Sequence, residues 1–311
     1  MKKAIGIDIG GTSVKAGVFT REGVLEGTAS VPTGRLVGEG DFARVLEMLR
    51  GLLAAHGAAP ADVAGVGFDV PGPVDAAGNV KLLPNIELDA PALKEALSAA
   101  FPQAKLACAN DANAAALGEA WQGAGRDLRS FVLVALGTGV GGGVVVDGRL
   151  VAGAFGAGGE VGHLTVNRDE PRTCGCGRRG CLEQYASASG VVRIYQEECA
   201  RRDMRPVPLS GPTDSLAVFT AHRAGDAAAQ AAISQMSDCL GFALAQMSVV
   251  LDPDAFLIGG GMGAGFDLFA DELRAAFRLY CLHTCADARI LPATLGNAAA
   301  LYGSARLALQ K

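Results

Sequence analysis

A chain of 311 residues with 27 Lys plus Arg against 32 Asp plus Glu, net charge −5, lacks the basic excess that a nucleic-acid or anionic-membrane surface requires. Half of it is hydrophobic, no uninterrupted apolar run approaches the length of a membrane span, and no signal peptide precedes the first apolar strand, so a cytoplasmic protein of two domains with small soluble partners is expected. Its eight cysteines are then expected to be metal ligands and buried thiols rather than disulfides.

The first element in chain order is a strand, turn and strand, Ile5-Gly-Ile-Asp8-Ile-Gly10-Gly11-Thr12-Ser-Val-Lys15-Ala-Gly-Val-Phe19. Its glycine turn presents backbone amides without Cβ obstruction, which suits an anionic phosphate and its metal. Helical apolar spacing over 41–56 and strand patterns over 63–69 and 105–109 follow, and a helix is predicted over 112–121. Asn110-Asp111 falls at that strand-to-helix boundary, which in an α/β sheet faces the ligand crevice. From position alone, Asp111 either accepts a hydroxyl proton or caps the helix.

A second strand, turn and strand, Val132-Leu-Val-Ala-Leu-Gly137-Thr138-Gly139-Val-Gly141-Gly142-Gly143-Val-Val-Val146, echoes the first. Two such hairpins predict a duplicated α/β unit with two lobes about a cleft, each turn holding one end of a polyphosphate chain. Ordinary hairpin turns are the alternative. Eleven residues beyond His163 begins Cys174-Gly-Cys176-Gly-Arg-Arg-Gly-Cys181. Three thiols and an imidazole fill a tetrahedral zinc shell and leave no open position, so a structural zinc is expected rather than a Lewis acid. An unliganded glycine-rich turn is the alternative, less in keeping with clustered cysteines beside a histidine. Cys108, Cys199, Cys239, Cys281 and Cys285 read as core.

Helices are predicted over 190–204, 213–223 and 226–251, with 206–212 as a loop. A strand over 254–258 runs into Gly259-Gly260-Gly261, a turn able to bring backbone against a base or ribose. The final helix, 296–309, has an Ala-rich face that could cross back to the first lobe. The predicted division is 1–110 plus 299–311 as the small lobe and 111–298 as the large lobe with the zinc loop. Neither a P-loop nor a strand–helix G-x-G-x-x-G is present in its usual setting.

Asp8-Ile-Gly-Gly-Thr12, Asn110-Asp111-Ala-Asn113, Leu136-Gly-Thr-Gly139, Glu160-Val-Gly-His163, the cysteine run through Glu183 and Ile258-Gly-Gly-Gly261 together resemble the ROK (repressor, open reading frame, kinase) family of sugar kinases, nearly end to end. Glu160-Val-Gly-His163-Leu-Thr-Val and Cys181-Leu-Glu183-Gln-Tyr-Ala-Ser are similar to its glucose-phosphorylating subgroup. The resemblance implies a duplicated actin-like ATPase (ribonuclease H-like) α/β fold, a homodimer or homotetramer, and phosphorylation of glucose at its 6-hydroxyl. N-acetylmannosamine, fructose and allose are the alternative acceptors. It also implies that Asp111 is the general base, that Asn110 and the backbone amide of Gly72 bind the sugar, and that Glu160, His163 and Glu183 bind hydroxyls near the anomeric end. His163, Cys174, Cys176 and Cys181 would hold Zn²⁺. ATP with Mg²⁺ would fall to Asp8, Gly10, Gly11, Thr12, Lys15, Thr138, Gly139, Gly260 and Gly261. Pro84-Asn85-Ile86-Glu87-Leu88 lacks the aromatic residue that the family often carries after this Asn. Regulators of the family carry a DNA-binding helix-turn-helix before the first strand; here strand one begins within the first five residues, so an enzyme is expected. A purely structural actin-like protein would have no use for the Glu160, His163 and Glu183 set.

Overall fold

Two five-stranded mixed sheets share one topology in the computed structural model, which describes residues 2–75, 77–80, 83 and 86–310. Pro84 and Asn85 of the segment singled out above lie outside the described residues. In the first sheet β1 (Lys3–Ile9), β2 (Ser13–Thr20) and β3 (Leu25–Pro32) form an antiparallel meander, and β4 (Val63–Val70) and β5 (Lys105–Asn110) add in parallel beyond β1. In the second, β6 (Phe131–Leu136), β7 (Val140–Val146) and β8 (Arg149–Leu150) form the meander, and β9 (Ala255–Gly259) and β10 (Arg289–Pro292) add in parallel beyond β6. The duplication expected from the two glycine hairpins therefore extends through the strand order of both halves.

Both faces of the first sheet are covered, which is why β1 and β4 are apolar along almost their whole length. On one face α1 (Glu39–Ala55) and α2 (Ala90–Ala100) bury Phe42, Leu49, Leu93 and Leu97 against Ile5, Ile7 and Val66. On the other lies the last helix, α9 (Ala299–Leu309), so the chain does cross back. Glycines set its depth. A Cβ at Gly6 would stand 2.1 Å from the Leu301 carbonyl oxygen and one at Gly67 only 1.8 Å from that of Ser304. Helix α3 (Asp111–Gln122) covers the second sheet in the corresponding way, Ala116 meeting Gly143. Helices α3 and α9 also touch each other backbone to backbone, for a Cβ at Gly303 would fall 1.6 Å from the Ala114 carbonyl oxygen. This pair forms the layer between the sheets. The far face of the second sheet carries the largest core, built from α5 (Ala188–Arg201) after the single turn α4 (Glu183–Ala186), and from α6 (Ser215–Arg223), α7 (Ala227–Leu251) and α8 (Ala270–Tyr280).

Several elements differ from the sequence reading. Strand β3, helices α2 and α8, and strands β8 and β10 were not predicted. β3 is a half-exposed edge strand containing polar residues, and β8 and β10 are only 2 and 4 residues long, too short for periodicity to register. Helix α3 starts at Asp111 because Asn110 caps it. Cys239 and Cys281 are half-buried rather than core, the latter ending α8, whereas Cys108, Cys199 and Cys285 are buried as expected. No helix among the described residues is long and apolar enough to cross a membrane.

Candidate active site

The cleft between the sheets encloses about 900 Å³ and is walled by Asp8, Gly72, Asn110, Asp111, Thr138, Gly139, Glu160, His163, Glu183, Gly260 and Gly261. Each comes from the end of an element where the backbone must turn, so short loops bring residues far apart in the chain to one place.

Asp111 occupies the first turn of α3. The helix-capping task, open to it on sequence grounds, is performed by Asn110, whose Oδ1 accepts from Ala112 N–H at 3.0 Å and Asn113 N–H at 3.3 Å. Asn110 Nδ2 donates to the Gly72 carbonyl at 3.2 Å and so braces the Pro71-Gly72-Pro73 loop. The Gly72 N–H is itself turned to Val70 O at 3.0 Å, away from the free amide that the resemblance implied. Asp111 Oδ1 accepts from Ala112 N–H at 2.8 Å, which orients its carboxyl into the cleft. Burial pushes Asp111 up to about 6, with the Asp8 and Glu160 charges adding to the rise and the Ala112 and Asn110 hydrogen bonds opposing it.

Asp8 is directly opposite Lys15 in the β1–β2 ladder, and Lys15 Nζ stands 3.6 Å from Asp8 Oδ2. Burial raises the Asp8 carboxyl and Lys15 opposes that rise. In the turn that follows, Gly10 N–H donates to Ser13 O and Thr33 Oγ1 donates to Gly10 O, while a Cβ on Gly11 would meet nothing within 4 Å. Protein packing therefore does not require glycine at 11, and of the first turn only Asp8 walls the cleft, with Gly10, Gly11, Thr12 and Lys15 outside its lining. The second turn is closed by Gly137 N–H on Gly139 O at 2.9 Å. Gly260 at φ +78 does require glycine, since a Cβ would lie 2.4 Å from Leu136 O.

His163 lies between two groups, with Nδ1 3.9 Å from Cys174 Sγ and Nε2 3.9 Å from Glu160 Oε2. Glu183, first residue of α4, accepts Val140 N–H on Oε2 at 3.2 Å and faces the Cys174 thiol with Oε1 at 3.6 Å. A Cβ on Gly139 would approach Glu183 Oε2 to 2.4 Å, so the glycine turn and this acid are built around each other.

Ligand atoms of His163, Cys174, Cys176 and Cys181 all lie within 4.8 Å of one another, and Cys176 Sγ stands 3.6 Å from Cys181 Sγ. A tetrahedron with metal–sulfur bonds of about 2.3 Å has sulfur edges of about 3.8 Å, so the donor set fits Zn²⁺ in both chemistry and spacing. The loop reaches this shape through Gly177 at φ +83 and Gly180 at φ +72, the latter with Asn167 O where a Cβ would be. Burial, with the neighbouring sulfurs adding, holds Cys181 up at about 12, the condition a bound dication reverses by drawing off the thiol proton.

Sequence reasoning passed over three further features in and beside the cleft. Asp69 is wholly buried, opposite Asp8 on β4, with Ser304 Oγ donating to it at 2.8 Å. Burial holds its carboxyl well above the usual range, and the Asp8 charge adds to this. An acid at the end of a strand otherwise of apolar and glycine residues was the available signal. Thr294 and Asn297 wall the cleft beyond the carboxyl end of β10, and that strand carried no pattern from which to place them. Glu119, which lines the cleft, is like Asp69 a fully buried acid.

A family model described as "ROK family" matches residues 4–311. The chain is 34% identical over 316 residues to a glucokinase of Halalkalibacterium halodurans, covering 99% of this chain and 95% of that one. It is 28% identical over 317 residues to an N-acetyl-D-glucosamine kinase of Vibrio cholerae, covering 97% and 98%. Among solved structures, a ROK family glucokinase from Streptomyces griseus in complex with glucose and AMPPNP superposes with a TM-score of 0.78 at 33% identity, covering 99% of this chain and all of that one.

Proposed function

The chain belongs to the ROK family, and on that premise we propose that it is an ATP-dependent hexose kinase that phosphorylates glucose at the 6-hydroxyl. The observation that carries this reading is the position of Asp111. Its carboxyl, oriented by Ala112 N–H, lines one cleft with Glu160 and Glu183, acids that suit vicinal hydroxyls, and with Asp8 and the Gly137–Gly139 turn, which suit a polyphosphate and its metal.

In the reaction, O6 of the sugar bonds to the γ-phosphorus as the bond from that phosphorus to the β–γ bridging oxygen breaks, and the O6 proton passes to Asp111. Charge neutralisation and positioning supply most of the rate in phosphoryl transfer, so the base acts late. Glu160 and Glu183 accept hydroxyl donors from the sugar, and His163 donates from Nε2 while Nδ1 faces the thiol cluster. Val140 N–H on Glu183 ties the sugar end of the cleft to the Gly137–Gly139 turn. Asp8, Gly10, Gly11, Thr12 and Lys15 take one end of the phosphate chain, Thr138 and Gly139 the other, and Gly260 and Gly261 the nucleoside.

Cleft carboxylates beside an anionic phosphate chain call for a hard cation, and Asp8 would hold Mg²⁺, which neutralises phosphate charge when bound. Zn²⁺ held by His163, Cys174, Cys176 and Cys181 would brace the loop from which His163 and Glu183 project. A homodimer or homotetramer belongs to the same reading, and light scattering tests it.

An N-acetylated hexose is the second reading, supported by the similarity to the Vibrio cholerae kinase; N-acetylmannosamine, fructose and allose remain in the panel. A coupled assay of ADP release across these sugars decides among them. Turnover fastest on glucose is expected, and a tenfold preference for an N-acetylhexose would replace glucose as the acceptor.

A further inference from the structure

Glu119 lies on α3, about 12 Å along the helix from Asp111, and is fully buried. Its carboxylate is where the two passages of the chain between the sheets meet. On the outgoing passage, from β5 through α3 to β6, the turn after the helix donates Ala124 N–H to Oε2 at 2.7 Å. On the returning passage, from β10 to α9, Leu295 N–H donates to Oε1 at 2.8 Å, Thr294 N–H to Oε1 at 3.0 Å and the Thr294 hydroxyl to Oε2 at 3.3 Å. Every one of these partners is a donor and none is a cation.

A buried carboxylate held only by neutral donors is costly unless its lone pairs are filled, and an acceptor-only group is the one side chain type that satisfies this convergence. Thr294, Gly296 and Asn297 of the same segment line the cleft together with Gly260 and Gly261. It follows β10, whose carboxyl end lies beside that of β9, the position at which open α/β sheets bind nucleotides. The carboxylate therefore joins the nucleotide-side wall to the helix whose first residue is Asp111. The α3–α9 contact leaves no slack nearby, since a Cβ at Gly118 would fall 2.1 Å from Ala299 O.

We infer that Glu119 is a positioning residue for the nucleotide: it holds the 294–297 wall in register with Asp111, so that the γ-phosphate lies in line with the hydroxyl whose proton Asp111 takes. The inference rests on the kinase reading above. Its test is steady-state kinetics on the full chain, with ATP varied at saturating glucose and glucose varied at saturating ATP. Glu119→Gln sets an amide donor against backbone donors and is expected to raise KM for ATP about tenfold or more while KM for glucose stays within about twofold. Glu119→Asp keeps the charge but withdraws it by one methylene, and a smaller rise in the same direction is expected. Unchanged KM for ATP, equal rises in both KM values, or failure of both variants to fold would each reduce Glu119 to a structural tie and overturn the inference. Wild-type protein that phosphorylates no hexose would instead overturn the kinase reading, so the two failures are separable.

Discussion

Replacing Asp111 by Asn removes the proposed base while leaving an oxygen to accept Ala112 N–H, so the two jobs of this side chain come apart. A carboxylate base contributes about 10²–10⁴-fold, and kcat is expected to fall by that factor with KM for glucose little changed. The electrostatics give an opposite effect on stability. Burial lifts Asp111 from 3.8 to about 6, and at about 1.4 kcal/mol per tenfold this places a cost of about 3 kcal/mol on the ionised carboxylate in the folded chain at neutral pH. Because the folded value is the raised one, the cost is absent below pH 3.8, grows between 3.8 and about 6, and is constant above that. Asp111→Asn is therefore expected to be more stable than wild type by up to about 3 kcal/mol at pH 8, and equal to it well below pH 3.8, where the Asp111 carboxyl is protonated in both the folded and the unfolded chain. Coupled ADP release gives the rate and urea unfolding at the two pH values gives the stability. In the wild type, kcat/KM for glucose is expected to fall tenfold per pH unit below about 6. A variant that retains rate within tenfold, or a wild-type profile flat from pH 7 to 4.5, would refute the assignment of Asp111 as a base tuned by burial.

Gly11→Ala adds a methyl that meets nothing within 4 Å, so its unfolding midpoint should stay within about 0.5 kcal/mol of wild type while KM for ATP rises; loss of stability instead would mean the turn, not a ligand, requires the glycine. Gly303→Ala drives a Cβ to 1.6 Å from Ala114 O and should cost about 3 kcal/mol in urea unfolding and lower kcat through displacement of α3, an account that an unchanged midpoint rules out. Elemental analysis of the purified protein should find one zinc per chain, and Cys181→Ser should lose it and raise KM for glucose with KM for ATP preserved. Retention of full activity toward glucose by the metal-free protein would remove the bracing role of the loop.

The order of residues by itself determined the turns and their chemistry. Gly10-Gly11-Thr12 and Gly137-Thr138-Gly139 announced two hairpins, and the cysteine run announced a converging donor set, because such signals are local: a backbone that must bend and ligand atoms that must meet are visible within a dozen residues. The strands with continuous apolar runs and the long helices were legible for the same reason, and the family resemblance supplied the roles proposed for Asp111, Glu160 and Glu183. Only the tertiary structure decided how these pieces share work. Asn110, not Asp111, caps α3, because the cap depends on backbone angles at one residue. Gly6 and Gly67 admit a helix from the far end of the chain and Gly303 lets that helix meet α3, and a glycine carries no mark of which backbone will approach it. Asp69 meets Asp8 only once β4 pairs with β1, and Glu119 meets Thr294 and Leu295 only once the segment between β10 and α9 packs on α3. Burial, the cause of the raised Asp111 carboxyl, is a property of the enclosing fold and has no counterpart in a linear chain.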